Sequence, residues 1–92
     1  MNSSEVIWKF PVPLESVRVS VEMPMYSTPL ALQMQNDVPT LWAQVHPRSQ
    51  VVTKLFAWVG TGAEVPLVGK YVGTVQVRGG DYVFHLYELG AS

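Results

Sequence analysis

Apolar residues recur at every second position through most of this chain, and clusters of turn formers break the pattern about every eight to twelve residues. Period two is the mark of a half-buried strand, whose side chains leave alternate faces, whereas a helix needs a period near 3.6. Val17, Val19, Val21 and Met23 point one way, and Arg18, Ser20 and Glu22 the other. A helix through Leu14, Val17 and Val21 would crowd β-branched side chains that a pleated surface accommodates, so the strand is preferred. The pattern repeats with Leu30, Leu32 and Met34 opposite Ala31, Gln33 and Gln35. The turn formers Asn36-Asp37-Val38-Pro39 then lead into a strand over residues 40–45, which predicts a hairpin.

Beyond the loop His46-Pro47-Arg48-Ser49, residues 51–59 form a long β-branched and aromatic run. Residues 60–70 hold three glycines and a proline and are expected to be irregular. Strands over 71–77 and 82–88 flank Arg78-Gly79-Gly80-Asp81, where the Gly-Gly pair suits the left-handed angles of a tight two-residue turn. An opening strand over 6–10 ends at Pro11 and Pro13, which have no amide to donate. The expected fold is all-β: a compact single-domain sandwich or partly closed barrel of about seven short antiparallel strands. The single domain spans 1–92, with 1–5 a flexible lead-in.

Composition narrows the partners. Charged residues are 14% of the chain, below the ~25% of ordinary domains. So little polar covering predicts exposed apolar patches and self-association into a homo-oligomer. The net charge is −1 with Lys and Arg scattered singly, so neither duplex DNA nor long RNA is an expected partner. The absence of cysteine excludes disulfides and thiolate metal sites and fits a reducing cytosol. The opening Met-Asn-Ser-Ser-Glu reads as no secretion signal, and no apolar run nears the ~20 residues of a membrane helix. A cytoplasmic setting with no membrane partner is expected.

Several motifs in order carry a resemblance: Ile7-Trp8-Lys9-Phe10-Pro11, Glu22-Met23-Pro24, Gln33-Met34-Gln35-Asn36, Val38-Pro39 and Leu41-Trp42-Ala43. Val59-Gly60-Thr61-Gly62, Tyr71-Val72-Gly73-Thr74-Val75 and Val83-Phe84-His85-Leu86-Tyr87-Glu88 continue it. Over residues 6–88 the chain resembles a family of small phage proteins of unknown function. In that pattern a His follows the Gly-Thr-Gly, where this chain has Ala63. The resemblance implies a phage setting, with host-cell cytosol as the location, and no activity.

Catalytic chemistry finds little footing. A zinc site needs three or four ligands, and the chain has two histidines. His85 and Glu88, three apart on a strand, leave opposite faces, and His46 has no ligand-spaced neighbour. No metal or cofactor is expected. No serine sits in a Gly-x-Ser-x-Gly elbow. Gly69-Lys70 is followed by Tyr71 rather than Ser or Thr, and Val65 stands where a dinucleotide fingerprint needs its last glycine. Glu22 and Glu88 each close a strand, which leaves a carboxylate pair open while favouring solvated edge residues.

The candidate ligand site is Gly60, Thr61 and Gly62 with Trp42, His85 and Tyr87. Glycines flanking Thr61 allow amides to converge on an anion with the hydroxyl as a further donor; the plainer reading is a bulged turn that needs glycine torsions. Trp42 shares a face with Gln44 and His46, opposite Leu41, Ala43 and Val45. His85 and Tyr87 are likewise opposite Phe84 and Leu86. If the aliphatic sides are the core, all three project outward to a ligand or subunit contact; otherwise both faces are buried. The expected function is non-catalytic: a phage accessory protein that sequesters a small nucleotide-like defence signal, such as a cyclic nucleotide. The alternative is a protein–protein interaction module on a host or phage protein. An enzyme is not expected, because no acid, base and nucleophile share a strand face.

Overall fold

The structure, a computed structural model, describes residues 4–91. Within them the chain is all-β, with strands β1 (Val6–Pro11), β2 (Arg18–Pro24), β3 (Ser27–Gln35), β4 (Val38–Val45), β5 (Val51–Gly60), β6 (Lys70–Val77) and β7 (Tyr82–Ala91). A smaller sheet has the order β1-β4-β3 and a larger one β2-β5-β7-β6. Every pairing is antiparallel, and the sheets face one another as a sandwich rather than a closed barrel.

Strand parity builds the core. Leu41, Ala43 and Val45 of β4 turn inward at 0% exposure to meet Phe56 and Trp58 of β5 and Leu86 of β7 in one cluster. Val21 and Met23 of β2 and Val75 of β6 complete the larger sheet's share with Val19 packed against it, as alternation requires, whereas Val17, expected on the same face, precedes β2 and is exposed. Burying each such side chain is worth about 1.5–3 kcal/mol relative to exposure. The chain crosses between sheets at Val12, itself fully buried, whose amide donates to the Pro39 carbonyl. The Trp58 indole N–H donates to the Pro13 carbonyl at 3.2 Å and its backbone amide to Val17.

Local details depart from the sequence reading in three places. The first hairpin turns on Asn36 and Asp37 alone, both left-handed (φ 51° and 67°), and Val38 and Pro39 already belong to β4. Pro39 is tolerated because it sits at the strand's first turn of pairing, opposite Met34. A register shift between Pro29 and Ala31 frees Leu30 from the alternation, so it is exposed while Leu32 is buried and Met34 packs on the core. The second hairpin is a four-residue loop rather than a two-residue turn. Arg78, Gly79 and Gly80 all take positive φ there, and the Arg78 guanidinium lies over the Tyr82 ring. Of the expected flexible lead-in, residues 1–3 lie outside the described residues, and Glu5 accepts a hydrogen bond from Gln44 Nε2 at 2.8 Å.

The two sheets come closest where β3 crosses β6. A Cβ on Gly73 would stand 2.9 Å from the Leu32 Cβ, which no rotamer change relieves. Gly73→Val is therefore expected to destabilise the fold by about 1–3 kcal/mol. A urea midpoint unchanged from the parent would show that the strands do not approach so closely.

Candidate functional site

The larger sheet's outer face is built by the same parity. Phe84 and Leu86 turn to the core, so His85 and Tyr87 turn out. Across the β6–β7 pairing, Thr74 lies directly opposite His85 and Tyr71 opposite Tyr87. On the other flank β5 ends at Gly60, and Thr61 stands diagonal to His85 on the same face.

These residues form a continuous polar chain. Thr61 Oγ1 lies 2.9 Å from His85 Nε2, and Thr74 Oγ1 lies 2.9 Å from His85 Nδ1. The Tyr71 hydroxyl bonds to Thr74 Oγ1, and the Tyr71 and Tyr87 rings meet edge to face at 5.7 Å. A neutral imidazole donates from one nitrogen and accepts at the other, so the chain can run in either direction. In one, Tyr71 donates to Thr74, Thr74 to Nδ1, Nε2 to Thr61, and Thr61 to the Val83 carbonyl 3.4 Å away. In the other, the polarity reverses and the Tyr71 hydroxyl is left to donate outward. The three bonds along the chain are kept in either direction, and only the Thr61–Val83 bond is given up in the second, so the site can offer a ligand a donor or an acceptor.

Beside this chain lies a cleft of about 240 Å³, lined by Val59, Thr61, Gly62, Val65, His85 and Tyr87 among others. The β5–β6 connection folds back over the face: a Cβ on Gly69 would contact Leu89 at 3.5 Å and Tyr87 at 3.6 Å. That cover explains why Val59 and Ala57, outward by parity, are buried. Gly62 alone of the Gly-Thr-Gly pair is left-handed, at φ +95°. The Thr61 amide donates to the Val83 carbonyl and the Ala63 amide to the Gly60 carbonyl. With those two amides spent inside the fold, the loop is a glycine turn whose hydroxyl, more than its backbone, faces the cleft.

Of the six expected residues the structure thus gathers five, Gly60, Thr61, Gly62, His85 and Tyr87, at one cleft. Trp42 is not with them. It is half-buried on the outer face of the smaller sheet, between Lys9 of β1 and Ala31 of β3. At one end of that face a second cleft of about 370 Å³ is lined by Glu5, Tyr26, Gln44 and His46, with His46 Nε2 3.2 Å from the Glu5 carboxylate. Sequence reasoning missed Thr74 and Tyr71 as members of the first site and Glu5 as the partner of His46. The first was within reach: counting back from the Gly79-Gly80 turn sets Thr74 opposite His85.

Other pairings considered from sequence resolve by face. Glu88 turns inward opposite Phe56, its carboxylate 4.0 Å from the largely buried Lys54, while His85 and Glu22 turn outward. Glu22 and Glu88 therefore share no face. Among the described residues no three His, Asp or Glu side chains converge as a metal set, and no helix is long and apolar enough to cross a membrane.

The site ties both imidazole nitrogens to hydroxyls, and comparison with known proteins adds a family whose function is unknown. The model described as Domain of unknown function (DUF7352) matches residues 3–92. The chain belongs to this family. No curated protein and no solved structure matches it.

The Thr74–His85 bond is open to a direct check. In a cycle of Thr74→Val, His85→Ala and the double variant, the unfolding free energies are expected to show a coupling of about 0.5–1 kcal/mol. Strict additivity in chemical denaturation would mean that the bond is not kept in solution.

Proposed function

We propose that this protein is a non-catalytic, homo-oligomeric binder that holds a small nucleotide-like molecule against the Thr61–His85–Thr74–Tyr71 chain. The observation that carries this reading is that chain itself: switchable hydrogen-bond polarity beside aromatic rings, on an outer sheet face. A base or sugar edge presents donors and acceptors in mixed order, which a relay of hydroxyls and imidazole can match. Tyr87 and Tyr71 add π-faces near it. No Lys or Arg lines the cleft, so a ligand carrying one phosphate charge, as a cyclic nucleotide does, fits better than a polyphosphate.

Binding is preferred to turnover because among the described residues no carboxylate orients His85, and both ring nitrogens are already engaged with threonines. The cleft is smaller than the ~300 Å³ at which ligand pockets usually begin, which favours a small ligand that stays partly exposed. The biological setting comes from the family resemblance: a phage accessory protein in the host cytosol that removes a defence signal by stoichiometric capture.

Calorimetric titration with a panel of cyclic and linear nucleotides is the test. Heat of binding from at least one member, weakened about tenfold or more in His85→Ala, is expected from the loss of directional hydrogen bonds. No heat from any member would remove the reading. One observation favours the alternative of a module that docks on a host or phage protein. The β5–β6 connection presents Leu67 fully exposed and Val68 largely so. If docking is the function, Leu67→Ser with Val68→Ser abolishes binding to that protein while the nucleotide panel stays silent for the parent chain.

A further inference from the structure

We infer that β1 is a self-association seam, pairing antiparallel with β1 of a second copy so that two smaller sheets become one continuous sheet. This gives the oligomer of the reading above its interface and otherwise stands apart from it, because the seam lies on the other sheet from the Thr61–His85 cleft.

Three observations carry it. First, β1 is an edge strand, hydrogen-bonded to β4 on one side only. Second, it leaves apolar side chains uncovered on both of its faces: Val6 is 38%, Ile7 59% and Trp8 43% exposed. The other edges are less open, although Leu30 of β3 and Tyr71 of β6 are exposed. β2 buries Val21 and Met23 and shows Arg18, Ser20 and Glu22 outward, and β3 and β6 are turned toward each other at Leu32 and Gly73. An unguarded apolar edge is a template for another strand.

Third, the strand is complementary to itself. A twofold axis perpendicular to the sheet keeps the outer faces of both copies on one side, so residues of like parity oppose each other. With Ile7 opposite the partner's Ile7, Val6 opposes the partner's Trp8 and Glu5 opposes the partner's Lys9. Both charge pairs lie on the outer face beside the Ile7 pair, and both Val–Trp pairs on the inner face. Shifting one strand by two residues destroys the match, since Lys9 or Glu5 then opposes the partner's Ile7. Pro11, which lacks an amide, falls outside the paired stretch.

Existing contacts are compatible with the seam. The Glu5 carboxylate accepts from Gln44 on one oxygen and meets His46 on the other, and each oxygen retains a lone pair for an incoming ammonium. Lys9 is exposed, its Nζ donating one bond to Gln35 Oε1. Across the seam the outer face would read His46, Glu5, then the partner's Lys9 and the partner's Trp42. Trp42 thereby lies one strand from the contact, which accounts for an outward indole on the sheet that lacks the nucleotide cleft.

Sedimentation velocity over a concentration series tests the inference, with circular dichroism confirming that each variant is folded. The parent chain is expected to dimerise. Glu5→Lys and Lys9→Glu each place like charges opposite one another twice, and each is expected to weaken the dimer about tenfold or more. An equimolar mixture of the two variants restores complementarity in a heterodimer, as does the double exchange within one chain. A monomeric parent chain, single variants that dimerise as the parent does, or a mixture that stays monomeric would each overturn the seam. None of these outcomes bears on nucleotide binding, which titration reads separately.

Discussion

Everything in this fold follows from packing the inner faces of β4, β5 and β7 against each other. Leu41, Val45, Phe56 and Leu86 are sealed from water, and a thin core of this kind holds most of the stability of a 92-residue chain. Once those side chains are committed, strand parity leaves no freedom for their neighbours. Trp42, His85 and Tyr87 must leave on the outer faces, because slipping a strand by one residue would expose its whole aliphatic set. The close passage of β3 over β6 at Gly73 belongs to the same constraint, since a methyl group there would push the sheets apart.

The outer faces then diverge in character. On the larger sheet, the β5–β6 connection folds back and shelters Val59 and Ala57, leaving the threonine, histidine and tyrosine side chains as the accessible chemistry. Hydroxyls and an imidazole form a relay whose polarity inverts with the ring tautomer, a property suited to recognition of mixed donor–acceptor edges. On the smaller sheet, Lys9 spans from β1 to Gln35 of β3, and Trp42, Gln44 and His46 line a face that runs out to the uncovered edge of β1. The proposed ligand surface and the inferred association surface thus lie on different sheets of the sandwich and do not compete.

Much of this was readable from residue order. The seven strands, the two hairpins and the inward and outward sets follow from alternation and turn chemistry, because a two-residue period admits only two faces. The position of Thr74 opposite His85 was also within reach, since hairpin register is counted from the turn. Leu30 was misplaced because a bulge shifts register without any mark in the apolar pattern. Pro39 was assigned to a turn because proline usually ends pairing, whereas at the start of β4, beside the hairpin turn, it pairs opposite Met34.

Alternation and turn residues alone determined the all-β class, the strand count and the placing of Trp42, His85 and Tyr87 on faces opposite the aliphatic sets, while the packed core made those faces the outer ones. Only the tertiary structure decided which outward residues meet. Trp42 and His85 are both outward, yet strand order places them on opposite layers of the sandwich, and Glu5 reaches His46 from 41 positions away because β1 pairs with β4. Local pattern reports a side chain's face; which strands become neighbours depends on how the apolar faces of the whole chain bury one another, and that is a property of the assembled core.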